Sequence, residues 1–283
     1  MRIWRGIGIT AAGVLGVGIV AAAIAQARWS SRSARIASRL ALGRVDAGSR
    51  PASYSPDQLA GLPAPVVRYF ERVLRPGQRM IGAARIVQRG EFALSRDRWM
   101  PFTATELVSV RPLGFMWDAS IRMVPLATMR VRDSYLDGTG TMEGRLLALL
   151  PLVRQSGGGP MAAATLQRYL AEAPWVPTAL LPSEGVRWTA LDDSSARATI
   201  TDGAVTASVD FHFDRDGTIA GISADRYREV GGTLVLTPWR GRWRGYETVD
   251  GMLVPREGDV SWQLPDGPHT YWRGRLEEVR YAW

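Results

Sequence analysis

Five Asp-Gly dipeptides, beginning at Asp137, Asp202, Asp216, Asp250 and Asp266, divide this chain, and most stand between short runs in which apolar and polar residues alternate. A type I′ hairpin turn needs a left-handed backbone at both central residues, which Asp and Gly tolerate. The dipeptide between alternating runs therefore predicts hairpins. Most of the chain is expected to be an antiparallel meander. Alternation places strands at 86–94, 102–110 and 115–123. A fourth runs through Met129, Val131, Asp133 and Tyr135 to the first Asp-Gly turn, and a fifth from 139 to about 147. After Pro177, strands are expected at 186–191, 196–201, 204–213, 218–227, 233–239, 243–249, 253–264 and 270–281. No fixed period marks a propeller or solenoid.

Helices interrupt the strands at few places. Ser55-Pro56-Asp57 predicts a helix start, with a Ser cap and Pro in first position. Pro63 or Pro65 opens a second helix through Leu74, with Val66, Val67, Phe70, Val73 and Leu74 at helical spacing. Residues 156–160 read as a loop, and 161–173 as a helix stopped by Pro174 and Pro177, followed by the apolar turn Ala179-Leu180-Leu181. So long a sheet does not stay flat. The expected fold is α+β and mostly antiparallel β: a long curled meander, an open half-barrel, with helices covering its concave side.

Residues 6–27 carry no charge, and roughly 20 apolar residues span a bilayer. Two readings stand side by side. One is a cleaved signal peptide, since Ala23-Ile24-Ala25 and Ala25-Gln26-Ala27 fit the small-x-small pattern. The other is a transmembrane anchor helix, which the length of the run favours. Arg28, Arg32, Arg35 and Arg39 follow the run, against Arg2 and Arg5 before it, which by the positive-inside rule puts the C-terminal part in the cytoplasm. The usual role of single N-terminal spans in export favours the extracytoplasmic side. The expected organisation is an anchor or signal segment over 1–28, a polar connector over 29–54 with a helix at 31–42, and a single domain over 55–283. The expected location is the bacterial cytoplasmic membrane.

The net charge is +8, and every basic residue is Arg. Arg-rich codon usage accounts for that, and the arginines are scattered rather than gathered into an arm, so no nucleic-acid partner is expected. The chain has no Cys, which excludes disulfides, thiolate metal sites and Cys nucleophiles. Its two histidines are His212 and His269. Asp210, His212 and Asp214 share one strand face about 7 Å apart, as a solvated outer face or, with help from another strand, a metal site; the outer face is the expectation. There is no Gly-x-Ser-x-Gly elbow, P-loop or dinucleotide fingerprint. No catalytic residue, metal or cofactor is expected.

More informative are polar residues on apolar faces. Glu106 lies in line with Ala104 and Val108, and Asp133 with Met129, Val131 and Tyr135. A carboxylate there must be paired or neutral. Arg168 and Glu172 are four apart on the helix at 161–173 and so can pair. Arg68, Glu106, Asp133, Arg168 and Glu172 are expected to form a polar cluster under the sheet, either as a ligand head-group site or as a structural brace. Trp117, Tyr135 and Trp175 are the expected aromatic neighbours of that site. Residues 239–246 alternate Arg240, Arg242 and Arg244 with Gly241, Trp243 and Gly245, as an anionic-surface contact or as a charged outward face with Trp packed inward.

Several motifs carry a resemblance: 62–70 (Leu-Pro-Ala-Pro-Val-Val-Arg-Tyr-Phe), Pro101-Phe102, Gly114-Phe115-Met116-Trp117, Asp133-Ser134-Tyr135 with Gly138-Thr139-Gly140, 168–172 with 175–181, and Pro238-Trp239. Over 62–283 the chain resembles an uncharacterised bacterial family known as a domain of unknown function. Its curled sheet over helices is similar to the lipoprotein-carrier (Lol-type) half-barrel, whose members hold acyl chains in a concavity. Together with the uncharged run at 6–27 and the lack of a catalytic motif, the resemblance leads to the expectation of a membrane-anchored, non-enzymatic domain binding a lipid, another apolar ligand or an envelope partner in the concavity. The alternatives are a hydrolase using the Glu106 and Asp133 carboxylates and a purely structural envelope module.

Overall fold

The computed structural model describes residues 2–42, 51–124 and 127–283, with side chains in the first helix from residue 20 to 41. Thirteen strands form one antiparallel sheet. The first six are β1 (Ala83–Ser95), β2 (Arg98–Ser109), β3 (Gly114–Val124), β4 (Ala127–Leu136), β5 (Thr139–Leu146) and β6 (Leu150–Gly157). The rest are β7 (Arg187–Asp192), β8 (Ser195–Asp202), β9 (Val205–Phe213), β10 (Ile219–Val230), β11 (Thr233–Val249), β12 (Met252–Leu264) and β13 (Gly267–Ala282). The spatial order runs β6 to β1, then β13 down to β7. The first and last strands thus pair in the middle, and the edges are β6 and β7, neighbours in sequence.

That order explains the third helix. The chain must cross the whole sheet between β6 and β7, and it does so as α3 (Gly159–Glu172) and three short 3-10 turns. The sheet curls without closing, and its two wings touch across the concavity. Tyr135 donates its hydroxyl to Asp202 at 2.8 Å, and the Gln155 amide donates to Glu229 at 3.1 Å. Helix α2 (Ala64–Val73) buries Val66, Tyr69, Phe70 and Val73 in the concavity, with Tyr69 against Phe213. The apolar turn expected after Pro177 is a 3-10 segment, Pro177–Leu180, fully buried in the same core. It is tied down where Ile81 donates its N–H to the Thr178 hydroxyl at 3.0 Å.

The first helix, α1 (Arg2–Leu42), takes in the helix expected at 31–42. It packs on the convex face, across β2 and β3, not in the concavity. Trp29 is only 2% exposed there. Its indole donates to the Asp118 carboxylate at 3.0 and 3.1 Å, and the Arg132 guanidinium lies 4.2 Å above its ring. Leu40 packs on Met116 and Leu136. The outward face of β3 and β4 is polar enough to look solvated from sequence, yet it is the seat of a helix. Among the described residues no helix is long and apolar enough to cross a membrane. Of the expected span 6–27, the side chains of 6–19 lie outside the described residues.

Three strand expectations change. Residues 233–239 and 243–249 are one strand, because Arg240-Gly241-Arg242 keeps the alternation; a side chain at Gly241 would meet Ile222 at 2.8 Å, so only glycine lets the chain pass. β6 was not expected. It carries Pro151, which a sheet edge tolerates because no partner needs the missing N–H. The turn before it is Leu147-Ala148-Leu149, with no Gly, Asn or Asp to announce it. Leu94, which unbroken alternation from Ile86 would put on the core face of β1, is exposed, because the β1–β2 register shifts between Ala93 and Ser95. The Asp-Gly turns divide as well. All five glycines are left-handed, but only Asp137 (φ 49°) and Asp250 (φ 47°) join them, so two turns meet the type I′ requirement. Asp216 instead accepts from the N–H and hydroxyl of Thr218 at 3.0 and 2.8 Å, an Asx-type turn.

Helix α3 meets β5 at Gly140. A β-carbon there would stand 2.4 Å from the Thr165 hydroxyl and 2.8 Å from the Met161 carbonyl. Gly140→Ala is therefore expected to push α3 off the sheet and to lower the unfolding free energy by about 1–3 kcal/mol. Denaturant unfolding at fixed pH measures this; an unchanged midpoint would show that α3 is not held at that contact.

Candidate functional site

The curled sheet and α3 enclose a cavity of about 410 Å³. One wall comes from β3 to β6, with Trp117, Val131, Met142 and Val153. The facing wall comes from β10 to β13, with Ile222, Trp239, Trp262, Tyr271 and Trp272. Met161, Ala164 and Arg168 of α3 lie between them. Most of these wall residues are the alternate residues of a pleat, which makes the walls aromatic and aliphatic for the same reason that the strands could be read from sequence; on β13 the register shift opposite Val260 and Ser261 brings both Tyr271 and Trp272 to the cavity. The volume lies within the range of small-molecule sites.

Four of the eight sequence-identified site residues line this cavity: Trp117, Asp133, Arg168 and Glu172. Arg168 is the centre of the group. Its Nη1 donates to Asp133 at 2.5 Å and its Nε to Glu172 at 2.9 Å. Its guanidinium lies 5.0 Å from the Trp117 ring and 5.2 Å from Phe115. Glu106 joins from behind, with no solvent exposure. Gln88 connects it to the wall: the Gln88 amide donates to Glu106 at 2.8 Å, and the Trp117 indole donates to the Gln88 carbonyl at 2.8 Å.

The other three take different places. Arg68 is on the exposed side of α2, where it donates to the Asp193 carbonyl at 2.8 Å and is no part of the cluster. The residues of α2 that face inward are Val66, Tyr69, Phe70 and Val73, and Arg68 falls between them. Tyr135 is buried on the same strand face as Asp133, but its hydroxyl is spent on Asp202. Trp175 supports the cavity from behind, edge-on to Trp243 and Trp272, its indole donating to the Pro255 carbonyl at 3.0 Å.

Burial decides the protonation of the cluster. It pushes the Glu106 carboxyl well up, and the neighbouring Glu172 pushes the same way, against Arg168 and the Gln88 hydrogen bond. Asp133 is also raised by burial, with Arg168 and Arg226 opposing. Glu106 Oε1 and Glu172 Oε2 are both buried without a donor among the described residues. A proton on Glu106 supplies that donor to Glu172, which two ionised carboxylates could not do. Arg168 stays charged: burial pulls it down, but Glu172, Asp133 and Glu106 more than offset this and raise it.

A raised carboxyl makes a definite stability prediction. Below the ordinary glutamate range Glu106 is protonated whether folded or unfolded, and contributes no slope. Above that range the unfolded chain releases the proton while the folded chain keeps it, so stability falls with rising pH by up to about 1.4 kcal/mol per unit until the folded group also ionises. Glu106→Gln is expected to remove this descending component. Denaturant midpoints from pH 4 to 9 test this; a variant with the wild-type slope would show that Glu106 is not the proton holder.

Arg226 is the residue sequence reasoning missed. It lies in line with Ile222 and Ala224, the same polar-in-apolar signal that singled out Asp133. Its Nε donates to the Ala164 carbonyl at 3.0 Å, its Nη1 to the Tyr271 hydroxyl at 3.4 Å, and its guanidinium lies 5.0 Å from the Trp239 ring. Two residues on, Arg228 lies 5.8 Å from the Trp262 ring with its Nε buried and unpartnered. Among the described residues neither arginine has a carboxylate within ion-pair distance, whereas Arg168 has two.

Of the remaining candidates, the Asp210 and His212 pair and the arginines of 240–244 are surface features. Asp210 is held bidentately by Arg197, and His212 pairs with the Ser223 hydroxyl at 2.8 Å. Among the described residues no group of three His, Asp or Glu side chains is placed to hold a metal ion. His269 lines the cavity. In the Arg-Gly-Arg-Trp segment, Trp243 packs inward on Trp175, while Arg242 and Arg244 both pair with Asp259 on the outward face, at 3.0 and 2.6 Å.

No curated protein matches the chain. Among solved structures it is similar to a LolA superfamily protein from Nitrosomonas europaea, with TM-score 0.33 and 10% identity, over 78% of this chain and 93% of that one. It is also similar to a β-barrel-like protein of domain of unknown function DUF1849 from Brucella abortus, with TM-score 0.28 and 7% identity, over 72% of this chain and 99% of that one. Likenesses this distant carry no argument about a ligand. The family model for DUF6544, a family of unknown function, matches residues 52–274, which take in α2, α3, strands β1 to β12 and the first half of β13, and the chain belongs to that family.

Proposed function

We propose that this chain is a non-enzymatic binding protein that holds a lipid or other apolar ligand in the cavity between the sheet wings. The observation that carries the reading is the make-up of the cavity: about 410 Å³ with mostly aromatic and aliphatic walls, and two arginines free of carboxylates at one side. Apolar walls with few convergent polar groups are the general form of a ligand site. The apolar part of the ligand lies along Trp117, Val131 and Trp272, and a polar head lies toward Arg226 and Arg228. The Arg168 cluster is charge-balanced by Asp133 and Glu172, so it fixes α3 to the sheet and forms the polar boundary of the cavity. A hydrolytic role for Glu106 and Asp133 draws no support from this arrangement, since Glu106 has no atom facing the cavity. In this reading residues 6–27 tether the domain at the bacterial cytoplasmic membrane, with the domain on the extracytoplasmic side.

Titration of the full chain with cis-parinaric acid tests the proposal. Trp239 and Trp262 line the cavity, so energy transfer from Trp to a bound polyene reports occupancy. The expected result is saturable, one-to-one binding; transfer that grows without saturation would contradict it.

A further inference from the structure

Antiparallel strands bring alternate turns to the same end of a sheet. By the register of this sheet, the tips of the β3–β4, β5–β6 and β10–β11 hairpins share one end. Exposed large apolar side chains concentrate there. On the β5–β6 hairpin they are Leu147, Leu150 and Leu152, between 40% and 60% exposed. On the β10–β11 hairpin they are Val230, Leu234, Val235 and Leu236, between 37% and 53% exposed. Val124, at the end of β3, is 52% exposed. Scattered apolar residues need no explanation, but apolar residues gathered at one end of a sheet do.

Three further observations say what covers this end. First, Leu147 (φ 53°) and Ala148 (φ 59°) are both left-handed, a backbone that glycine adopts without strain and leucine does not. The turn keeps an exposed leucine at a position where glycine would be the stable choice. Second, Ala21, Ile24 and Arg28 of α1 line one groove with Arg145, Ala148 and Leu149. The described end of the uncharged N-terminal run, from residue 20 on, therefore meets the sheet at this end. Third, exposed arginines accompany the apolar side chains: Arg28 on α1, Arg98 at the start of β2 and Arg122 near the end of β3. None of these has a carboxylate within ion-pair distance among the described residues, while the nearby Asp266 is already paired with Arg96.

We infer that this end of the sheet docks on a lipid bilayer carrying anionic headgroups. Leu147 and Leu150 from one hairpin and Val235 and Leu236 from the other enter the headgroup layer, and Arg28, Arg98 and Arg122 meet the phosphates. Apolar side chains flanked by arginines are the composition of an interfacial contact. The cavity is lined by Val153 of β6 and Leu234 of β11, next to the exposed leucines of both hairpins, so docking brings its entrance to the lipid. The inference stands on the exposed end alone and does not require the cavity to hold a ligand.

The chain lacks Cys, so single labels are clean. The full-length variants Leu147→Cys, Leu236→Cys and Leu191→Cys, each exposed, carry an environment-sensitive nitrobenzoxadiazole label; Leu191 is at the opposite end of the sheet. Each is mixed with vesicles of equal parts phosphatidylcholine and phosphatidylglycerol, and with phosphatidylcholine alone. The expected result is a blue shift of the labels at 147 and 236, quenched by brominated lipid, larger with phosphatidylglycerol, and no shift at 191. Labels at 147 and 236 that keep their vesicle-free emission while the chain is vesicle-bound would overturn the inference, because the N-terminal segment alone would then account for binding. An equal shift at 191, or an equal shift without phosphatidylglycerol, would overturn it too.

Discussion

Arg168→Met is expected to destabilise the fold by about 3–5 kcal/mol at neutral pH, the usual penalty for removing one partner of a buried ion cluster. The side chain is 13% exposed and lies between two carboxylates that are 20% and 18% exposed. Methionine fills most of the same volume, so lost packing contributes little. What remains is Asp133 and Glu172 side by side with Glu106 behind them, and only the more distant Arg226 to oppose their charge. Glu106 already holds a proton, so a second carboxyl must take one up or the site unfolds. The deficit therefore depends on pH. The unfolded carboxylates ionise near their ordinary values, while those in the variant ionise higher. The loss is complete at neutral pH and shrinks as pH falls toward the ordinary carboxylate range. Arg168→Lys is expected to lie between, since one ammonium replaces the separate Nε and Nη1 contacts less well. Denaturant unfolding at pH 5 and pH 7.5 measures both variants. A loss below about 1 kcal/mol, independent of pH, would show that water screens the cluster as it screens a surface pair.

Ala164→Phe is expected to weaken binding of cis-parinaric acid at least about tenfold, roughly 1.4 kcal/mol, while leaving stability unchanged or higher. Ala164 is 5% exposed on the cavity side of α3. Added carbon in a filled core forces neighbours off their rotamers. Added carbon in a cavity finds apolar walls instead, here Ile222 and Trp239, and buries new surface. The Arg226 bond to residue 164 goes to its backbone carbonyl and survives the substitution. Stability retained with binding lost separates a ligand space from a packing defect. Equal affinity in the variant and the wild type would place the probe elsewhere on the protein.

Much of this architecture was legible because pleat and turn chemistry leave direct traces. The alternation of Phe115, Trp117, Ala119 and Ile121 marked a core face, and all four are buried. Glu106 and Asp133 stood out because a carboxylate in such a row needs a partner, and Arg168 supplies it to Asp133. What escaped had no local trace. Strand β6 follows a turn built from Leu and Ala, with strain in place of a glycine signal. The seat of α1 lies on Asp118, Arg132 and Glu143, residues that read as a solvated face until a helix is placed over them. The pairing of β1 with β13 joins the two ends of the domain, a contact that no neighbouring residues encode. Arg68 misled because its helix was assigned correctly but the face it occupies was not separated from the buried one. Arg226 did leave a trace, in line with Ile222 and Ala224 as Asp133 is with Val131 and Tyr135, but an arginine in such a row reads as easily as one whose long stem is buried and whose head reaches water.

The central claim is that the cavity under α3 is a space for an apolar molecule and not a gap in packing. Native mass spectrometry of the full chain, released from mild detergent without added lipid, tests it most directly. The account predicts that the wild type carries a bound apolar molecule, lost on denaturation, and that Ala164→Phe prepared in parallel carries none. Bare-chain mass in both proteins, or the same adduct in both, would contradict it.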